Sequence, residues 1–161
     1  MATEQQQQDA VRSLMLPLSH DNLLVPGTVV AEVVAYQPPE PAPAEAPEWL
    51  LGYLPWRGQR VPCIAVDSLD HNEVAEPTAS ARSRFVVLKG VGGSPYVPYL
   101  AVYVEGIPRL MNLDPDTLEL RDSESNEAPT GMQCAVLAQG EPAMIPDLPA
   151  IEEWTRQNAG R

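Results

Sequence analysis

EWLLGYLPWRGQRVP, residues 48–62, sets two tryptophans and two arginines around a glycine, directly after a segment of almost nothing but proline, alanine and glutamate. WLLGYLPW (49–56) and RVPCIAV (60–66) are short apolar runs rich in aromatic and branched residues. Arg57-Gly58-Gln59 between them supplies a turn at which glycine takes a positive φ. The stretch predicts a β-hairpin. Alternation along the first strand puts Leu54 and Trp56 on one face and Pro55 on the other. It does not say which face is the core, so Trp56 either fills an interior or forms an outward contact surface.

Outward from the hairpin, the chain keeps the same habit. RSLMLPLS (12–19) and NLLVPG (22–27) read as strands joined by a Ser-His-Asp-Asn turn that carries His20. TVVAEVVAY (28–36) is ambiguous between a short helical turn and an irregular strand with Glu32 outward, because its valines match helical spacing while their branching favours extension. QPPEPAPAEAP (37–47) lacks the amides to pair regularly and predicts an extended surface connection. The polar stretch 67–83, with His71, predicts a long loop dividing the strands into two groups. RFVVLKG (84–90) and YVPYLAVYVEGIPRLMNL (96–113) resume the β pattern, the latter apolar on both faces and so covered on both sides. LDPDTLEL (113–120), MQCAVLAQG (132–140) and GEPAMIP (140–146) complete about ten strands. PDLPAIEEWTRQ closes the chain as a helix capped by Asp147 and anchored by Ile151 and Trp154.

The 161 residues suit one domain spanning 11–158, with a disordered glutamine-rich lead at 1–10 and a short tail at 159–161. Eighteen prolines disfavour long helices, and the 44% hydrophobic content is ordinary for a globular chain. Acidic residues outnumber basic ones 22 to 10, and a net charge of −12 repels nucleic-acid phosphates and anionic lipid heads. Neither a basic, apolar leader nor a run long enough to span a bilayer is present, so the expectation is a cytoplasmic protein with no direct membrane insertion.

Chemistry-bearing patterns are sparse. Cys63 and Cys134 lie in aliphatic surroundings without CxxC spacing and read as small buried hydrophobes; no metal set is formed. GVGGS (90–94) lacks the Lys-Ser/Thr of a phosphate loop and reads as a flexible hairpin tip. Asp114/Asp116 and Glu152/Glu153 are explained by turn and helix-end chemistry. The readings that remain are a binding scaffold, a small thiol enzyme using Cys63, and a β-barrel that takes a small ligand.

Taken together, APEWLLGYLPWRGQRVP (46–62), Val30-Ala-Glu32-Val33 and Leu100-Ala-Val-Tyr-Val104-Glu105-Gly106-Ile107 resemble the CheW-like domain, the adaptor module of bacterial chemosensory arrays. The proline-rich insert and short length are similar to its ChpC-type members, which serve type IV pili and twitching motility. Two positions depart from the pattern: Pro55 stands where the family usually has Asn, and Asp67-Ser-Leu69 follows Val-Pro later than usual. Pro55 removes a ladder donor, so the hairpin is expected to be irregular there.

The resemblance implies an all-β fold with a minor helical part: two SH3-like five-stranded barrels packed on a shared core, with a C-terminal helix. It implies a non-catalytic adaptor, without cofactor, that binds the regulatory domain of a CheA-type histidine kinase and the cytoplasmic tip of a methyl-accepting chemoreceptor. Partner contacts are expected at Leu54, Trp56, Arg57 and Gly58. Val30 and Glu32 are expected on one side of a groove between the barrels, with Val104, Glu105 and Gly106 on the other. Arg57 could equally bond loop carbonyls.

Overall fold

The structure is a computed structural model, and the residues described are 10–19, 21–69, 80–93, 95–121 and 130–159. Twelve strands are present among them: β1 (Val11–Pro17), β2 (Asn22–Pro26), β3 (Val30–Ala35), β4 (Glu40–Pro41), β5 (Leu50–Trp56), β6 (Gln59–Ile64), β7 (Arg84–Lys89), β8 (Tyr99–Val104), β9 (Arg109–Leu113), β10 (Leu118–Leu120), β11 (Met132–Ala138) and β12 (Glu141–Pro146). One helix, α1 (Leu148–Ala159), follows.

The strands form two six-stranded sheets, in the orders β10-β11-β12-β2-β1-β9 and β3-β7-β8-β6-β5-β4. Two sheets with a C-terminal helix match the expected architecture, but each holds six strands rather than five. The extra strand of the second sheet is the two-residue β4, formed where the proline-rich connection lies against Gly52 and Tyr53. The expected partition is also corrected. Strands β7 and β8 follow residues 67–83 yet join β3 and β6, while the first sheet combines the N-terminal hairpin with β9 to β12. Pairing between distant strands, including parallel pairs of β2 with β12 and β6 with β8, overrides sequence order.

The apolar two-faced strands explain the layering. On β7 and β8, Val86, Leu88, Leu100, Val102 and Val104 point into a core between the sheets. Their alternates Phe85, Val87, Ala101 and Tyr103 point into the hollow of the second sheet. On β1 and β2, Leu16, Leu23 and Val25 enter the shared core while Met15 and Leu24 fill the hollow of the first sheet. Helix α1 seals the shared core with Leu148, Ile151 and the half-buried Trp154, and the Asp147 carboxylate caps it by accepting the Ala150 amide at 3.2 Å. The ambiguous 28–36 segment resolves into both alternatives: a 3-10 turn at Gly27–Val29, then β3 with a bulge between Val30 and Glu32.

Two contacts tie the halves together. The Asp67 carboxylate accepts both the Ser19 amide (3.1 Å) and the Ser19 hydroxyl (2.6 Å), fixing the β1–β2 turn to the end of the second sheet. The Glu105 amide donates to the Pro17 carbonyl at 2.9 Å, joining the end of β8 to the end of β1.

Candidate functional site

The β5–β6 hairpin turns on two residues, Arg57 (φ 46°) and Gly58 (φ 75°), both left-handed, which gives the type I′ turn that matches strand twist. The sequence marked only Gly58 for positive φ. Register runs unbroken from Gly52↔Cys63 to Trp56↔Gln59, so the irregularity expected at Pro55 is absent; the bulge lies at Leu51 instead. Pairs alternate between hydrogen-bonded and open outward from a two-residue turn, so Pro55↔Arg60 is an open pair. Its missing amide faces the outer edge, where β4 has already ended at the level of Tyr53.

The hairpin's inward face is Leu54 and Trp56, which are 1% and 7% exposed and pack with Val61, Phe85 and Tyr103 in the hollow of the second sheet. These two residues, expected as an outward contact, are core. The Trp56 indole meets Tyr99 edge-on with centroids 4.8 Å apart, and its Nε1–H donates to the Glu32 carboxylate. Glu32 is therefore held by the indole rather than projecting freely. Arg57 remains at the surface, its guanidinium 4.5 Å above the Trp56 ring, with Gly58 exposed beside it. The structure thus brings Glu32, at the edge of the indole, and Arg57, over its face, together on Trp56.

The other expected residues divide. Val104 is fully buried in the shared core and offers no surface. Glu105 and Gly106 are half-exposed at the junction of the sheets, and a Cβ on Gly106 would meet the Pro17 ring at 3.1 Å. Val30 pairs through Leu88 toward Leu100, whereas Val104 pairs through Arg84 toward Ala35. Val30 and Val104 therefore stand at opposite ends of the second sheet and do not face each other across one groove.

What Val30 does line is an open cleft of about 580 Å³ between the sheets. Its walls are Arg12 and Leu14 of β1, Pro26 to Thr28 of the connecting turn, and Val30 at the start of β3. Close packing shapes the turn, since a Cβ on Gly27 would lie 3.2 Å from the Arg12 carbonyl oxygen. The cleft was not legible from the sequence because its two walls belong to different sheets.

Cys63, the thiol a small hydrolase would use, is not arranged for catalysis. Cys63 is fully buried, and burial pushes its thiol up to about 12, so the thiolate is essentially unpopulated at neutral pH. Cys134 is half-exposed rather than buried, at a bulge of β11 between Met132 and Cys134. His20 and His71 lie outside the described residues. GVGGS is no free tip over its described part: the Glu152 carboxylate accepts the Val91 and Gly92 amides at 2.6 and 2.7 Å. Glu152, passed over as ordinary helix-end chemistry, is 4% exposed and is the loop's anchor. No group of three or more potential metal ligands occurs among the described residues, and no helix there is long and apolar enough to cross a membrane.

Comparison with known proteins agrees with this architecture. The CheW-like domain model matches residues 12–155. The fold is similar to the crystal structure of scaffolding protein TtCheW from Thermoanaerobacter tengcongensis, with a TM-score of 0.68 at 16% identity, covering 86% of this chain and 85% of that one. No curated protein sequence matches the chain. With two sheets on a shared core, a sealing C-terminal helix and a family match over most of its length, the chain belongs to the CheW-like domain family.

Proposed function

We propose that this CheW-like scaffold is a cytoplasmic, non-catalytic adaptor that holds a chemoreceptor's cytoplasmic tip and the regulatory domain of a CheA-type histidine kinase together. The observation that supports this reading best is the cleft between the sheets, whose apolar Leu14, Pro26 and Val30 and cationic Arg12 suit an amphipathic helix bearing carboxylates. The Arg57-Gly58 turn is a second exposed contact, with the guanidinium already oriented by the Trp56 ring. Buried Leu54 and Trp56 support the Arg57-Gly58 turn from beneath, whereas buried Val104, at the far end of the sheet, is no part of either surface.

Each interface would bury on the order of 800 Å² per partner, and weak contacts would gain strength from repetition in an array. The proline-rich connection at 37–47 favours a ChpC-type adaptor acting on type IV pili and twitching motility. Titration of the protein against the kinase regulatory domain and against a receptor-tip fragment tests the assignment. Saturable binding to both is expected, and no binding to either at high micromolar concentration would overturn it.

A further inference from the structure

The hollow of the first sheet is not filled to its end. At the open mouth lies a cavity of about 360 Å³. Leu24 of β2 and Leu113 of β9 form its buried floor, and Leu118 of β10, Ile145 of β12, Pro115 and the exposed Val11 form its sides. It shares only Val11 and Pro26 with the cleft that Val30 lines. Strand alternation separates the two along β1: Ser13 faces this cavity, whereas Arg12 and Leu14 face the cleft, and only the strand's first residue, Val11, borders both.

Only two lining side chains are polar. The Ser13 hydroxyl reaches the Val11 carbonyl at 3.4 Å, a long bond. The Asp114 carboxylate accepts the Asp116 and Thr117 amides at 2.9 and 3.1 Å, and this turn fixes it beside the mouth.

We propose that this cavity is a binding site for an uncharged, largely apolar small molecule carrying one hydrogen-bond donor. Its volume falls within the range of small-molecule pockets, roughly 300–1,000 Å³, and its walls come from paired strands and are therefore pre-formed. Water in such a mouth finds few partners, so an apolar occupant gains by displacing it. The Asp114 carboxylate and the net charge of −12 select against anions, fatty acids included, and favour a donor pointing at Asp114.

The test is fluorescence titration of the full chain with the neutral dye N-phenyl-1-naphthylamine, beside its anionic relative 1-anilinonaphthalene-8-sulfonate. Saturable one-to-one binding of the neutral dye is expected, with the sulfonate weaker by about tenfold or more. Leu118→Trp, or Ile145→Trp from the opposite wall, should weaken the neutral dye at least about tenfold with the circular dichroism spectrum unchanged, because an indole fills the space. Val30→Trp in the cleft should leave it unchanged. The proposal is overturned if neither wall variant, folded, alters neutral-dye binding. It also fails if both dyes bind equally, or if no saturation occurs below about 100 μM.

Discussion

The Trp56 indole and the Glu32 carboxylate, 24 residues apart, are hydrogen-bonded across the hollow of the second sheet. Glu32 stands on β3 at one edge and Trp56 on β5 near the other, so the bond draws the sheet into a half-barrel. Bonds to a charged acceptor contribute about 1.5–3 kcal/mol, less where solvent reaches the carboxylate as it does here. Glu32→Ala and Trp56→Phe should each lower stability in urea unfolding, and the double variant should show about 1 kcal/mol or more of coupling. Additive effects would show that the seam is not closed by this pair in solution.

Arg57 makes one cation–π contact at the surface, worth about 0.5–1 kcal/mol. Arg57→Ala should therefore shift the melting temperature by only about 2–4 °C in calorimetry. If the hairpin tip touches a receptor, the same variant should weaken receptor-tip binding about tenfold, a loss on the scale of an interface hot spot. A collapse in stability with binding unchanged would assign Arg57 to the fold alone.

Gly52 shows why the proline-rich connection lies where it does. Its φ is 144°, and a Cβ there would sit 1.9 Å from the Glu40 carbonyl oxygen, which β4 brings directly over β5. Gly52→Ala should cost more than about 2 kcal/mol by adding backbone strain to the clash. It should also release residues 37–47, read out as faster proteolytic cleavage there than in the parent protein. Intact resistance to proteolysis would mean that β4 is held by other contacts, such as the Arg60–Glu40 ion pair.

The second-sheet strands were legible because alternation is local: β8 (Tyr99–Val104) carries apolar side chains on both faces, and the structure covers both. Alternation also paired Leu54 with Trp56 correctly on one face. It gives phase but not sign, so it could not say that this face is the interior. The sheet partition escaped for a different reason, since β1 pairs with β9 nearly a hundred residues later and no local pattern encodes that distance. Glu152 escaped because a buried carboxylate looks like any other helix glutamate until the amides it accepts are brought beside it.

Cys63 offers a chemical check on the core. Burial raises its thiol from 9.0 to about 12, so the folded state keeps the proton where the unfolded chain loses it. Its contribution to stability is complete below pH 9.0 and is lost progressively as pH rises from there toward about 12. At neutral pH, iodoacetamide should label the half-exposed Cys134 first and leave Cys63 unmodified until unfolding, as read by peptide mass spectrometry. Rapid native-state labelling of Cys63 would revive the thiol-enzyme reading.

Glu152 couples helix α1 to the glycine loop. Its two oxygens accept the Val91 and Gly92 amides separately, and a Cβ on Gly92 would lie 2.6 Å from Oε2, so a side chain there would push the carboxylate out of its present position. Glu152→Ala leaves both amides without their charged acceptor and should lower stability by about 1–3 kcal/mol. Glu152→Gln keeps one carbonyl acceptor but replaces the second oxygen with a donor that faces an N–H, so it should recover only part of that loss. Hydrogen exchange separates this anchoring from general helix packing: the Val91 and Gly92 amides should exchange much faster in both variants while Ile151 and Thr155 keep their protection. Equal loosening of loop and helix would instead make Glu152 a packing residue of α1, with the loop merely following.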